Sequence, residues 1–542
     1  MAPSRRRAGR LRPLLDKLFV AFEAAPWLVQ ALLYLCTAPL LEALFYLHTA
    51  SWREWRSSAP HNTHERADTA AVLAFYDRIL AEEDADGLKS FLHGWFLEQP
   101  ASPWQEPRYG NIREFVAWTL YGDAGERKPK QTSTVDRVMN QIEAVLGPLP
   151  AGRAERLVAM TYTREPLGRC HRPLAVYLCC FAAHGAIRRM LQLLGFSSRS
   201  VGRLRYLHRP DRRGGGATSA PLVFLHGIGG LLPYPLLLLQ LASRWEGPVL
   251  LPLLPHGALD RLPTSRCVAR AMRMPELVGA VEVMVRRHAL NGRAPSAAFM
   301  SHSLGTGYHA AVATRAPGLV AASLFADPIC FLLHERDVLH NFLYEVAPLR
   351  PATWFHWLQR VAVASDPTVQ NCLRREFWWS QHWLHPASLP SPTAVHLSAA
   401  DTVCNPRRVQ EHLLRHGGAQ AGLDSPLEVE LSRGMFTVHG WLCVAPAAQR
   451  RAIADLGRLL ARGLAQRAAG RKGAGEGDRT ADGSHLALAV RHRGARASGQ
   501  AVRLEPLGDT DSVSSSGESD GCGGRGVRSV TRTPSTGAVL SA

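Results

Sequence analysis

Ser303 stands in Ser301-His302-Ser303-Leu304-Gly305, between the charge-free apolar run Ser296–Met300 and the small-residue, helix-compatible stretch Thr306–Arg315. A strand, a tight turn with a central serine and then a helix is the setting in which a hydroxyl is presented as a nucleophile. The turn is so sharp that the residues flanking the serine must be small. Gly305 meets that demand two positions after Ser303, and Ser301 is a small-for-small departure from the usual glycine two positions before. Small-x-Ser-x-Gly is common by chance, so its weight depends on what the rest of the chain supplies.

Acyl transfer through serine needs a base for the hydroxyl proton, an acid to orient that base, and donors for the developing oxyanion. Leu225-His226-Gly227-Ile228-Gly229-Gly230 follows an apolar run about 75 residues before the serine. Its glycines let the backbone approach a substrate closely, and the N–H of Ile228 is a candidate oxyanion donor. The N–H of Leu304, the residue after the serine, is the second. His226 reads as a structural histidine that fixes the loop. The acid is expected at Asp401, where the run His396–Ser398 leads into a short loop. Asp327, in Phe325-Ala326-Asp327-Pro328, is the competing acid, with a helix cap as its other reading. The base is expected at His439, in Thr437-Val438-His439-Gly440-Trp441, just after the last strand-like run.

Elements must carry these residues to one place. Short apolar runs at Pro221–Leu225, Pro248–Pro252, Ser296–Met300, Ala321–Ala326, Ala394–Ser398 and Leu427–Leu431 alternate with helix patterns. That alternation predicts a mainly parallel sheet with helices on both faces. The stretch 328–390 is too long for one crossover helix and is rich in aromatics, among them Phe331, Phe342, Tyr344, Trp354, Phe355, Trp357, Phe377, Trp378, Trp379 and Trp383. It reads as a helical cap over one end of the sheet. Residues 56–200 read as helical throughout, with three- and four-residue apolar spacing at Ala70–Leu80, Gly87–Leu97, Val135–Leu146 and Pro173–Leu194, and Asn111 as an N-cap. Residues 463–542 are rich in Gly, Ser, Arg, Ala and Asp, and the composition predicts a disordered tail.

At this point residues 205–462 resemble an α/β-hydrolase-fold domain, similar to a group of large, membrane-associated hydrolase-like proteins of fungi and algae. The resemblance rests on the His-Gly-x-Gly loop, the serine turn, Asp401 and His439, and on their order along the chain. It implies a serine hydrolase with a helical cap between the sixth and seventh strands. A nucleophile position filled by Ser303, rather than the aspartate of epoxide hydrolases and dehalogenases, implies an ester, thioester or amide, and acyl esters, lipids included, are the leading expectation. Two rivals stay open: a catalytically silent scaffold held at a membrane, and an acyltransferase using the same three side chains.

Composition narrows the partners. The formal net charge of +18 points first to an anionic partner, but only five of the 63 basic residues are lysine and no aromatics interleave with a basic stripe. Nucleic-acid binding is not expected. The ten cysteines form no Cys-x-x-Cys pair and no Cys/His set at zinc spacing, so no structural metal is expected, and acyl transfer through serine needs neither a metal nor an organic cofactor. No Asn-x-Ser/Thr acceptor occurs, which favours a cytosol-facing catalytic domain. Arginines crowd residues 1–25, and Trp27–Leu47 carries one charge, Glu42, in a stretch long enough to cross a bilayer. Residues 26–50 are therefore expected to associate with a membrane, as a span or as a monotopic hairpin. A buried helix pair broken at Pro39 and an organelle transit peptide are the alternatives.

Overall fold

In this computed structural model the described residues are 27–58, 69–98, 106–122, 129–168, 170–212, 220–254, 259, 272–289, 295–344, 363–390, 392–417, 427–432 and 437–480. Side chains of the first and last of these segments are described for 37–58 and 437–469.

Two short strands, β1 (Phe96–Glu98) and β2 (Leu157–Ala159), pair as an antiparallel ribbon. Eight more form one sheet: β3 (Ser197–Val201), β4 (Leu204–Arg209), β5 (Leu222–Leu225), β6 (Val249–Leu253), β7 (Ala297–His302), β8 (Val320–Ala326), β9 (Thr393–Ser398) and β10 (Glu428–Ser432). Their spatial order is β10-β9-β8-β7-β5-β6-β4-β3. Every neighbouring pair is parallel except those made by β4, which runs antiparallel to β3 and β6. This is the α/β-hydrolase fold. Each residue of β5, β7 and β8 is buried, as parallel strands covered on both faces require. β5 to β10 fall on the six predicted runs. β3 and β4 were not predicted, because β3 is an exposed polar edge whose Ser-Ser-Arg-Ser-Val shows no apolar alternation.

Among the described residues six helices precede the sheet: α1 (Trp27–Ser58), α2 (Thr69–Glu82), α3 (Ala85–Gly94), α4 (Tyr109–Tyr121), α5 (Pro129–Leu146) and α6 (Leu174–Leu193). The N-terminal region is thus helical, with the β1–β2 ribbon set into it. α1 runs unbroken through Pro39 rather than dividing there. Asn111 is not the N-cap expected of it. α4 starts two residues earlier, and the buried Asn111 amide instead accepts from the N–H of Arg108 and Ala154 and donates to the Ala154 carbonyl.

Within the sheet domain lie α7 (Pro235–Arg244), α8 (Met274–His288), α9 (Leu304–Arg315), α10 (Pro406–Gly417) and α11 (Pro446–Thr480). α7, α11 and the end of α6 cover one face, through Leu237, Leu241, Leu456, Ile187 and Leu191. α8 and α9 cover the other, and that core continues without a break into Phe75, Trp95, Phe115 and Trp118 of the N-terminal region. The insertion makes the join. Its Trp378 meets Trp118 at 5.5 Å between ring centroids and its Trp379 meets Phe75 at 4.9 Å. Among its described residues it holds only short helical turns, such as Pro367–Asn371 and Trp379–His382, while Trp354, Phe355 and Trp357 fall outside the described residues. The expected tail boundary at 462 falls inside α11, where Leu459 and Leu460 are buried and Arg467 Nη1 donates to the Gly318 carbonyl at 2.7 Å. The tail from 481 and the basic residues 1–25 lie outside the described residues.

Candidate active site

β7 ends at His302 and α9 begins at Leu304, so Ser303 alone makes the turn. Its backbone is forced to φ 54° and ψ −126°, a conformation that costs a non-glycine residue about 1–3 kcal/mol. Gly305 is mandatory: a Cβ there would sit 2.1 Å from the Leu225 carbonyl oxygen. Gly227 is nearly as constrained, since a Cβ would come within 2.9 Å of Ser303 Cβ. Ser301, the departure from glycine, is wholly buried in β7 with its Oγ 2.8 Å from His309 Nδ1. His309 reaches Ser323 Oγ with its other nitrogen at 3.1 Å and stacks on Phe325. Burial pushes its pKa down to about 3, so it is neutral and takes part in a hydrogen-bonded core layer rather than in proton transfer.

The three side chains singled out in the sequence meet at the carboxyl ends of the strands. Ser303 Oγ lies 2.9 Å from His439 Nε2, and His439 Nδ1 lies 2.8 Å from Asp401 Oδ2. The other oxygen of Asp401 accepts from the N–H groups of Val403 at 2.7 Å and Cys404 at 3.0 Å, which fixes the orientation of the carboxyl group. The side chains of His439 and Asp401 are nearly dry, at 6% and 2% exposure, while Ser303 is half-buried and reachable. Burial alone would lower the histidine's pKa. The Asp401 carboxylate, by its charge and its hydrogen bond, and then Asp327, more than offset this, and the pKa stands above the ordinary 6.5.

Asp327 makes no hydrogen bond to the His439 ring, whose Nδ1 faces Asp401, and it caps no helix. Its buried carboxylate accepts from the N–H of Ser398 at 2.9 Å and the N–H of Gly440 at 2.8 Å. One bond ties down the strand end that leads to Asp401, and the other ties down the residue after His439. Asp327 itself holds φ 42°. Behind it lies a second chain of groups. The N–H of Gly227 donates to the Tyr234 hydroxyl at 2.9 Å, and that hydroxyl lies 2.7 Å from His302 Nδ1. With Tyr234 donating to Nδ1, His302 carries its proton on Nε2, facing Asp327 Oδ2 at 3.6 Å. That separation is too long for a direct hydrogen bond, so the contact is electrostatic. Burial holds the His302 pKa below its usual value, which keeps the ring neutral. Burial would raise the Asp327 pKa, but His302, His439 and the Gly440 N–H hold it below the usual carboxylate range. Sequence reading missed His302 and Tyr234, although His302 lies inside the serine motif itself.

The N–H groups of Ile228 and Leu304 are the expected oxyanion donors. Leu304 opens α9, where the first backbone donors have no partner within the helix. The loop carrying Ile228 is held by His226, whose Nε2 accepts from the N–H of Leu254 at 3.1 Å and whose Nδ1 faces the Gly227 carbonyl at 2.9 Å. That is a structural role. From the insertion, the His382 ring lies over α9, 5.1 Å from the Tyr308 ring, and closes the approach to Gly307.

Three side-chain groups among the described residues have metal-ligand types close together. Asp401, Cys404 and His439 belong to the serine site, and burial raises the Cys404 pKa well above the ordinary thiol value, so its sulfur stays protonated. His396, Glu430 and Asp455 form a surface ion network with Arg451 and Arg458. In the third group His385 accepts the Ala387 N–H on Nδ1, which leaves its proton on Nε2 directed at Glu82 rather than a lone pair for an ion.

No protein-family model matches the chain, and no curated protein does. Solved structures do. A bacterial membrane phospholipase A, described as a virulence factor, is 17% identical with a TM-score of 0.32 and aligns over 52% of this chain and 95% of its own. A carboxylesterase of Bacillus subtilis is 14% identical with a TM-score of 0.32, over 51% of this chain and 97% of its own. An epoxide hydrolase of Vigna radiata is 12% identical with a TM-score of 0.32, over 49% of this chain and 98% of its own.

Proposed function

We propose that this protein is a serine hydrolase of carboxylic acyl esters, lipid esters included, working through an acyl-enzyme at Ser303. One observation carries the reading: a continuous hydrogen-bonded line from Ser303 through His439 to Asp401, on a strained turn at the rim of the sheet. His439 Nε2 takes the hydroxyl proton as Ser303 Oγ attacks the ester carbonyl. Asp401 holds the ring with Nδ1–H toward itself and stabilises the imidazolium. The N–H groups of Ile228 and Leu304 receive the oxyanion. The tetrahedral adduct collapses, and the alcohol leaves with the proton from His439. Water, deprotonated by the same nitrogen, then attacks the acyl-enzyme and releases the acid. The chemistry requires no metal.

The acyl-ester preference rests on the serine nucleophile and on the aromatic insertion beside it. The apolar N-terminal helix supports a lipid substrate and membrane association through residues 26–50, with the catalytic domain facing the cytosol. Turnover of p-nitrophenyl esters from acetate to palmitate by the full chain tests the reading. Hydrolysis that rises with chain length and disappears in Ser303→Ala is expected. Equal rates in the variant, or no turnover of any ester by the folded wild type, would overturn it.

A further inference from the structure

α1 meets the start of α6 and the residues just before it on the body of the protein. Glu42 of α1 accepts from the Leu174 N–H at 2.9 Å and faces His171 Nε2 at 2.6 Å, while Phe45 meets Tyr177 at 5.6 Å and Arg53 reaches the Cys170 carbonyl. Each helix turns one stripe inward. In α6 the buried residues are Tyr177, His184, Ile187 and Leu191, and in α1 they are Phe45, Thr49, Trp52 and Arg53.

The opposite stripes are exposed, and they are apolar. Leu40, Leu41, Leu44 and Leu47 of α1 are 55–63% exposed, and Leu178 of α6 is 55% exposed. Cys179, Ala182 and Ala186 continue the outer side of α6. Between Leu174 and Ile187 this helix carries no Asp, Glu, Lys or Arg. Among the described residues it is the one helix long and apolar enough to cross a bilayer, yet little of it is buried in the protein. Burial of one stripe against the sheet domain argues against a span, because a crossing helix would have to leave that packing. An apolar outer stripe beside a docked inner one is instead the pattern of a helix lying in the plane of a membrane interface.

Charges appear where such a plane would end. Arg188 and Arg189 follow the apolar part of α6, while on α1 the exposed Tyr46 sits within the leucine stripe and the exposed Trp55 lies beyond its C-terminal end. Basic and amphipathic aromatic groups at the rim suit phospholipid headgroups, anionic ones above all. Water offers no comparable partner for exposed apolar stripes of this kind.

We propose that α1 and α6 together form a monotopic face that beds into one leaflet of a phospholipid bilayer, with neither helix crossing it. This deepens the proposed membrane association and assigns it a second helix and an orientation, independently of whether the serine site turns over esters.

The test uses the full chain, large unilamellar vesicles of phosphatidylcholine with and without phosphatidylglycerol, and a water-soluble maleimide. Cys179 lies on the proposed face, and Cys170, also exposed, lies at its edge. Labelled peptides are quantified by mass spectrometry. Vesicles are expected to slow labelling of Cys179 by roughly tenfold or more while Cys170 changes little, and Leu178→Glu and Leu44→Glu are each expected to weaken flotation with vesicles by roughly tenfold, since a charge at that depth is costly. Both variants keep wild-type turnover of a soluble ester, which separates this proposal from the reading of the active site, and Ser303→Ala binds vesicles as wild type does. Unchanged Cys179 labelling on vesicles, or flotation of both variants equal to wild type, would overturn it. Should a variant misfold, the wild-type labelling ratio still decides.

Discussion

The sheet rim and the helical half of this molecule are held by different kinds of contact. At the rim, loops are fixed by carboxylates that collect backbone N–H groups: Asp401 holds Val403 and Cys404, and Asp327 holds Ser398 and Gly440. In the helical half, a buried guanidinium collects backbone carbonyls. Arg375, in the insertion, donates to the carbonyls of Arg56, Ser57, Thr163, Glu165 and its neighbour Arg374. Next to it Arg374 pairs with Glu165 at 2.7 Å, and Arg172 pairs with the fully buried Asp366. The rim thus places three side chains in one hydrogen-bonded line. The helical half is a clamp that joins α1, the β2 loop and the insertion into one body. Damage to the first should remove chemistry and spare stability, and damage to the second should do the reverse.

The largest effect separates them most sharply. Ser303→Ala and Asp401→Asn should each lower kcat on the order of 10⁴-fold, with the melting temperature nearly unchanged. Arg375→Ala should leave several carbonyls without donors and destabilise the protein by about 3 kcal/mol, read as a lower denaturation midpoint, with kcat per folded molecule close to wild type. Asp327→Asn lies between the two. The amide can accept only one of the two N–H bonds and removes a charge near His439, so kcat should fall roughly 10- to 100-fold with little change in KM. A matching loss of stability with unchanged kcat would move Asp327 to the structural side.

The pH profile sharpens the rim half of the contrast. The neutral form of His439 is the proposed base, and its pKa stands above 6.5 because Asp401 outweighs the effect of burial. Activity should therefore fall as pH drops through a value above 6.5, and in Asp401→Asn the residual activity should show that limb moved to lower pH. The smallest effect expected is that of Ser301→Ala, which strips His309 Nδ1 of its partner. It should cost about 1 kcal/mol and leave kcat within a fewfold of wild type.

Legibility in the sequence divides along the same line. The strands from β5 to β10 could be read because each is a buried apolar run ended by a loop, and Ser303, Asp401 and His439 could be picked out because each follows such a run. β3 escaped notice because an edge strand of Ser, Arg and Val has no buried face to leave a pattern. Asp327 could be seen but not understood, since its partners are backbone amides 71 and 113 residues away. The helical half was legible as helices and opaque as a unit. Nothing local to Trp378 points to Trp118, and nothing local to Arg375 points to the carbonyls it gathers. The outer stripe of α6 was overlooked for another reason: taken alone, its apolar spacing reads as an ordinary core helix, and only its exposure sets it apart.

The proposed chemistry requires one side chain, Ser303, to be an activated nucleophile. Reaction of the full-length protein with a fluorophosphonate, followed by mass spectrometry of the modified peptide, tests that most directly. One label per chain is expected, on Ser303, forming faster as pH rises through the His439 limb and absent from Ser303→Ala. A label on any other serine, or undiminished labelling of the Ser303→Ala protein, would contradict it.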